Sequence, residues 1–229
     1  MKISIIIPVL NEADNLSKLI PHLHENSLSK NIEEIIVSDG GSVDNSKEVI
    51  KKEQNVRFII GPKGRALQMN KGARLAKGDI LYFLHADSFP PAQFDKKILQ
   101  AVSKKQEAGC FRLKFDDKHL LLRVSQWFTR WNFSICRGGD QSLFITKSLF
   151  EEMGGFNEDY TIYEDNEFTN RLYKKSSFIV LPEYVLTSAR KYRNIGVFKL
   201  QYHFAVIHLK KIFGASPETL YSYYRKHIR

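Results

Sequence analysis

Two cysteines, Cys110 and Cys136, are all that the 229 residues carry, and they form no Cys-x-x-Cys pair. Such sparse thiols exclude a disulfide-built scaffold, argue against a zinc or redox site, and suit a reducing compartment. No apolar run approaches the roughly 20 residues of a membrane span. Nor does a basic-then-apolar leader precede Ile3-Ser4-Ile5-Ile6-Ile7-Pro8-Val9, so the expectation is a cytoplasmic chain. Glycine-rich phosphate loops are missing too. Gly61-Pro62-Lys63-Gly64 is neither GxGxxG nor GxxxxGK[ST], which sets aside dinucleotide dehydrogenases and P-loop NTPases. Acids are scarce at one end: residues 190–229 hold nine Lys/Arg against the single acid Glu218, so most of the +10 net charge sits there. A basic end of this kind serves nucleic acid, an anionic membrane or phosphate-bearing ligands, or is simply a solvated surface.

What is present is an ordinary globular composition, 43% apolar and 26% charged, without internal repeats or low-complexity stretches. Up to about residue 105, short β-branched runs alternate with stretches of helical period, the pattern of a mostly parallel sheet covered by helices on both faces. Strands are expected at Lys2–Val9, Glu34–Ser38, Arg57–Ile60 and Ile80–Leu84. Helices are expected at Ala13–Asn26, Ser46–Lys52 and Gly64–Ala76. Ligands of open α/β sheets gather at the carboxyl ends of strands. Here those ends carry Pro8-Val9-Leu10-Asn11-Glu12, Asp39-Gly40-Gly41-Ser42, Gly61-Pro62-Lys63-Gly64-Arg65 and His85-Ala86-Asp87-Ser88.

The second half is less regular. It suggests strands at Gly109–Phe115 and Gln141–Thr146, helices near His119–Phe133 and from Tyr163 to Lys175, and two closing helices, Val197–Phe213 and Pro217–His227. The simplest division is a single compact unit over 1–190 followed by a basic helical appendage over 191–229.

Three acidic spots stand out. Asp39 ends an apolar strand, and its Gly-Gly-Ser successor lets backbone approach a ligand, although an Asp before glycines also makes an ordinary turn. Asp87 follows the apolar Ile80-Leu81-Tyr82-Phe83-Leu84, where a carboxylate either caps a helix or holds a hard cation beside a diphosphate. His85, two residues earlier, points to the same side if strand geometry persists. Glu164-Asp165 crowds a helix start, ordinarily a capping arrangement. Its upstream Gly138-Gly139-Asp140-Gln141 and Gly154-Gly155-Phe156 add backbone freedom that a plain helix start does not require.

Taken in order, Ile7-Pro8-Val9-Leu10-Asn11-Glu12, Val37-Ser38-Asp39-Gly40-Gly41-Ser42, GRALQMNKGA from Gly64, Gly78-Asp79, Phe83-Leu84-His85-Ala86-Asp87 and Glu164-Asp165 resemble family 2 glycosyltransferases of the GT-A fold over the first 180 residues. GRALQMNKGA, FLHAD, GDQSLF, GGF, TSAR (Thr187–Arg190) and GASPETLYSYYR resemble, more narrowly, a compact bacterial branch associated with arsenosugar biosynthesis or selenodomain proteins. The resemblance implies a nucleotide-diphospho-sugar donor, a divalent metal (Mn²⁺ or Mg²⁺), a small-molecule or lipid-like acceptor and an inverting single displacement. It makes 1–190 the catalytic domain, with a nucleotide-binding half to about 105 and an acceptor half from about 106, and it places Pro8, Glu12 and Asp39 at the nucleoside, Arg65 over the phosphates, Asp87 on the metal, Asp165 as catalytic base with Glu164 beside it, and Asp140 at the sugar or acceptor pocket. His85 stands where many relatives carry the first acid of a DxD element, so it departs from their pattern, and its implied contact is ribose or metal.

Rival readings are a nucleotidyltransferase, which would usually show a glycine-rich activation loop near its start, and a basic nucleic-acid-binding module. The tail aromatics recur at helical spacing, which favours packing over base stacking, so nucleic acid is not expected as a partner. The helix over Val197–Phe213 lines up Phe198, Tyr202, Ala205, Leu209 and Ile212 on one stripe. The favoured expectation is that it packs to close the acceptor side or form a homodimer; the other is peripheral contact with an anionic membrane at the inner face.

Overall fold

The computed structural model describes residues 1–51, 53–138, 141–175 and 177–228. Its centre is an eight-stranded sheet in the order β3-β2-β1-β4-β7-β6-β8-β5, built from β1 (Ile3–Val9), β2 (Ile32–Asp39), β3 (Val56–Ile60), β4 (Ile80–Phe83), β5 (Ser88–Phe89), β6 (Ala108–Phe115), β7 (Leu143–Thr146) and β8 (Phe178–Thr187). β3, β2, β1 and β4 run parallel, whereas β7 is antiparallel to both of its neighbours and β8 runs parallel to β6.

β1 is buried along its whole length, and its side chains divide between two cores as a period of two requires. Ile3, Ile5, Ile7 and Val9 face α1 (Ala13–Glu25), α2 (Ser46–Ile50) and α4 (Phe94–Ser103). Ile6 faces the other core with α3 (Arg65–Leu75), α6 (Lys147–Glu152) and α7 (Glu164–Lys175). α3 lies very close to the sheet: a Cβ at Gly72 would stand 2.6 Å from Ile6 Cγ2, so only glycine permits this approach. The first core continues into α5 (Leu120–Phe128), α8 (Arg190–Ile195), α9 (Val197–Ile212) and α10 (Pro217–His227) through Leu122, Tyr192, Leu200, Ile207 and Leu220. α10 starts on Ser216, whose Oγ accepts from the Thr219 N–H, with Pro217 in the first turn.

Several expectations needed revision. β5, β8, α4, α6 and α8 were not anticipated. α5 stops at Phe128 rather than Phe133, where the chain turns and Thr129 Oγ1 accepts from the Leu113 N–H at 3.1 Å. α9 does pack, but through Leu200, His203 and Ile207. The expected stripe of Phe198, Tyr202, Leu209 and Ile212 faces outward.

The parallel strands end together at one rim. There, buried Gln68 of α3 donates through Nε2 to the carbonyls of Val9 (2.7 Å) and Ser38 (2.6 Å), tying the ends of β1 and β2. Removing a buried donor costs about 1–3 kcal/mol. Gln68→Leu is therefore expected to lower the unfolding free energy by about that much in urea titrations, and an unchanged midpoint would contradict the tie.

Candidate functional site

Pro8 marks the point where the sheet opens. Ile6 is the last β1 residue paired with β4, its carbonyl accepting from the Leu84 N–H, and Val9 accepts from Gly40 on the β2 side. Alternation then turns Pro8 toward β4 just beyond that strand's end, so its missing N–H leaves no ladder bond unmade. β1 and β4 diverge from there. This is where the strand order reverses between β1 and its two parallel neighbours, the position at which such sheets form a crevice.

On one side of the crevice, Asp39 ends β2 with 3% of its surface exposed. Its carboxylate accepts from the N–H groups of Gly41 (2.9 Å) and Ser42 (3.0 Å) and from the Ser42 hydroxyl, a local turn that fixes its orientation. The loop after β1 is stitched to the same turn. Asn11, at a left-handed φ of 57°, donates its N–H to Ser42 Oγ and accepts through Oδ1 from the Val43 N–H, both at 2.8 Å. Glu12 precedes α1, accepts from Asn15 Nδ2, and pairs through Oε1 with Arg190 at 3.2 Å.

On the other side lie His85 and Asp87, both half-buried, between β4 and β5. The Asp87 carbonyl accepts from the Ser188 N–H (3.3 Å), and Ser88 Oγ lies 3.0 Å from Thr187 Oγ1. The segment Thr187–Arg190 is thereby fixed beside His85–Ser88, and Arg190 reaches back to Glu12. Among the described residues no three His, Cys, Asp or Glu cluster as a closed metal site. The Asp87 carboxylate alone still fits a hard divalent cation, since Mg²⁺ usually takes one or two carboxylates and completes its shell with substrate phosphate oxygens and water.

Glu164 and Asp165 part ways at the start of α7. Tyr163, at φ 72°, turns the chain into the helix. Glu164 has no exposed surface and lies 2.6 Å from Nε of Arg65, the first residue of α3. Neither of its oxygens receives an aligned hydrogen bond, so the contact is an ion pair by proximity. Arg65 keeps about 40% of its side chain exposed. Half-buried Asp165 instead lines a small cavity of about 20 Å³ with Arg137, Gln141, Ser142, Phe156 and Thr169. Its first-turn position favours a carboxylate through the helix dipole.

Buried Arg137 donates to Cys110 Sγ (3.1 Å) and to the carbonyls of Thr129 (2.7 Å) and Trp131 (2.5 Å). Burial pushes the Cys110 thiol up, against the pull of Arg137. Arg137 Nε and Gln141 Nε2 make no hydrogen bond within the protein, while the Ser142 hydroxyl meets that of buried Tyr82. Asp140 lies outside the described residues.

α9 supports this region from behind. Tyr163 OH lies 3.0 Å from His208 Nδ1, and Lys211 bonds the Tyr160 hydroxyl. Burial raises the Tyr163 hydroxyl and lowers the His208 imidazole, so both are neutral near pH 7.

Gln68, Arg137, Gln141 and Arg190 carry contacts at the site without having been assigned roles from sequence. Gln68, Gln141 and Arg190 had only their membership in GRALQMNKGA, GDQSLF and TSAR as a signal, and Arg137 had none.

Comparisons with known proteins agree with this architecture. S. aureus TarS, solved with UDP, shares the fold with a TM-score of 0.70 at 17% identity, over 82% of this chain and 61% of that one. Glycosyltransferase AglE of Haloferax volcanii is 31% identical over 107 residues, 44% of this chain and 35% of its own, so the chain spans about a third of that relative. An uncharacterized glycosyltransferase of Mycoplasma pneumoniae is 28% identical over 214 residues, 89% of this chain and 69% of its own. With residues 4–181 matching the profile of Glycosyl transferase family 2, and with the central sheet of the GT-A fold, the chain belongs to that family.

Proposed function

We propose that the chain transfers a sugar from a nucleotide-diphosphate donor to a small-molecule or lipid-like acceptor with inversion, Asp165 serving as base. The observation that carries this reading is the divergence of the two adjacent acids: Glu164 faces inward to Arg65, while Asp165 lines the cavity, where an acceptor hydroxyl can meet it. The UDP and UDP-GlcNAc complexes of TarS support a nucleotide-sugar donor. The branch that GDQSLF and TSAR resemble is part of the same proposal, as is the division into a catalytic domain over 1–190 and an appendage.

In this reading Asp39, fixed by its turn, accepts from the base or sugar edge of the nucleoside, with Glu12 and the backbone around Pro8 beside it. Arg65 faces the diphosphate with a permanently charged fork. Asp87, with His85, would hold a divalent cation, which when bound neutralises charge on the departing diphosphate. Asp165 takes the proton of the acceptor hydroxyl as its oxygen attacks the anomeric carbon opposite the leaving group. Arg137 and Gln141 line the same cavity, each with a donor that has no partner within the protein, and orient what enters it.

Asp165→Asn keeps the shape of the side chain and removes its basicity. Sugar transfer is expected to fall by about 10²–10⁴ while calorimetric donor affinity stays at the wild-type value. Near wild-type turnover would move the role of base to another residue.

Asp87→Ala removes the one carboxylate at the end of β4. Metal-dependent nucleotide binding is expected to weaken at least about tenfold, or ~1.4 kcal/mol, with the melting temperature unchanged. Calorimetry showing the same affinity with and without metal in both proteins would reject this assignment.

A further inference from the structure

α5 turns its apolar stripe away from the protein. Leu120, Val124, Trp127, Phe128 and Trp131 follow a spacing of 4, 3, 1 and 3 residues, which sets them on one side of the helix and the turn that continues it. All five are exposed, Leu120 to 71%, while Leu122 on the opposite side is buried. A second outward stripe runs along α9 through Phe198, Tyr202, Leu209 and Ile212, with Phe198 exposed to 72%. The two meet where the His119 ring, just before α5, packs edge-on against Phe198 at 5.8 Å, beside a Gln201–Ser125 hydrogen bond of 3.1 Å. Adjoining apolar stripes left in water mark an interaction surface.

The charge along these stripes is mostly of one sign; the acids next to them, Asp116 and Asp117, are both paired with Arg193. From Lys118 to Gly138 and from Thr187 to Pro217 the sequence contains no Asp or Glu. Exposed Lys118, Arg123, Arg130 and Lys199 flank the stripes, and the Arg130 guanidinium stacks over Trp127 at 4.8 Å. Long cationic side chains beside aromatic and aliphatic ones complement an anionic lipid surface: the apolar groups enter the headgroup boundary and the cations stay at the phosphates.

We infer that the joined outer faces of α5 and α9 form a peripheral docking surface for an anionic membrane. A second copy of this chain is the poorer occupant, because pairing the face with itself would set one cationic rim against another. The surface stands on its own observations. One consequence rests on the proposed transfer reaction: α9 also contacts Tyr160 and Tyr163, which lead into Asp165, so a docked chain would meet an acceptor presented at the bilayer surface.

Sedimentation of the full chain with phosphatidylglycerol-containing and pure phosphatidylcholine vesicles at about 0.15 M salt tests this, with no donor or acceptor added. The chain is expected to partition at least about tenfold more strongly onto the anionic vesicles. Leu120→Glu with Phe198→Glu, both on exposed side chains, should lower that partition at least about tenfold. Arg123→Gln with Lys199→Gln should lower it about as much, and all variants should keep the wild-type melting curve. Equal partition onto both vesicle types, no partition, or partition unmoved by either pair would overturn the inference. So would light scattering that shows a wild-type dimer dissociated by Leu120→Glu with Phe198→Glu.

Discussion

A carboxylate with no exposed surface calls for a cation at contact distance, and Glu164 finds one in Arg65. The two residues stand almost a hundred positions apart, one opening α3 and the other opening α7, so their pairing sets the two halves of the chain in register. Breaking a buried ion pair by removing one partner costs about 3–5 kcal/mol, and less here because Arg65 remains partly in water. The orientation that follows matters more than the energy. With Glu164 drawn inward, the next residue must point elsewhere, and helical geometry turns Asp165 into the cavity beside Arg137 and Gln141.

The rim facing this helix start depends on a complementary constraint, the ending of parallel strands at one level. β1 and β2 stop together because Gln68 and the Gly40 N–H hold their last carbonyls, and β4 parts from β1 where Pro8 has no N–H to offer. The opened edge exposes loops rather than side-chain packing. Each loop is then fixed by short-range bonds: the Asp39 turn to Asn11, and the Asp87 carbonyl to Ser188. The Glu12–Arg190 pair closes the circuit between the first strand's loop and the last strand's end. A site assembled this way is preorganised by backbone, which suits recognition of a ligand with many polar edges.

Much of this was legible in the residues. β1, β2 and β4 each carry a short run of mostly β-branched or aromatic residues, Ile5-Ile6-Ile7, Ile35-Ile36-Val37 and Ile80-Leu81-Tyr82-Phe83, and polar or glycine turns follow, so strand ends and site loops could be read together. β8 was missed although it opens with the apolar run Phe178-Ile179-Val180-Leu181: Pro182 cuts that run short, and the pairing with β6 shifts register between Phe111 and Arg112. α6 has only six residues, too few for a helical period. Periodicity grouped Phe198, Tyr202, Leu209 and Ile212 on one side of α9 correctly, yet a helix with apolar residues on two sides does not say which one the core will take. Leu200 and Ile207 took the core, and the stripe was left outside. The Arg65–Glu164 pair was hidden for a similar reason, since sequence supplies the charges but not the distance between helices that far apart.

The central claim is that the rim from Asp39 to Asp87 receives a nucleoside diphosphate. Titration calorimetry of the full chain against the common nucleoside diphosphates, with and without Mn²⁺ or Mg²⁺, addresses it without knowledge of the sugar or the acceptor. The account predicts that one nucleotide binds selectively and that chelating the metal weakens it. Absence of binding by every nucleoside diphosphate, with metal present, would contradict it.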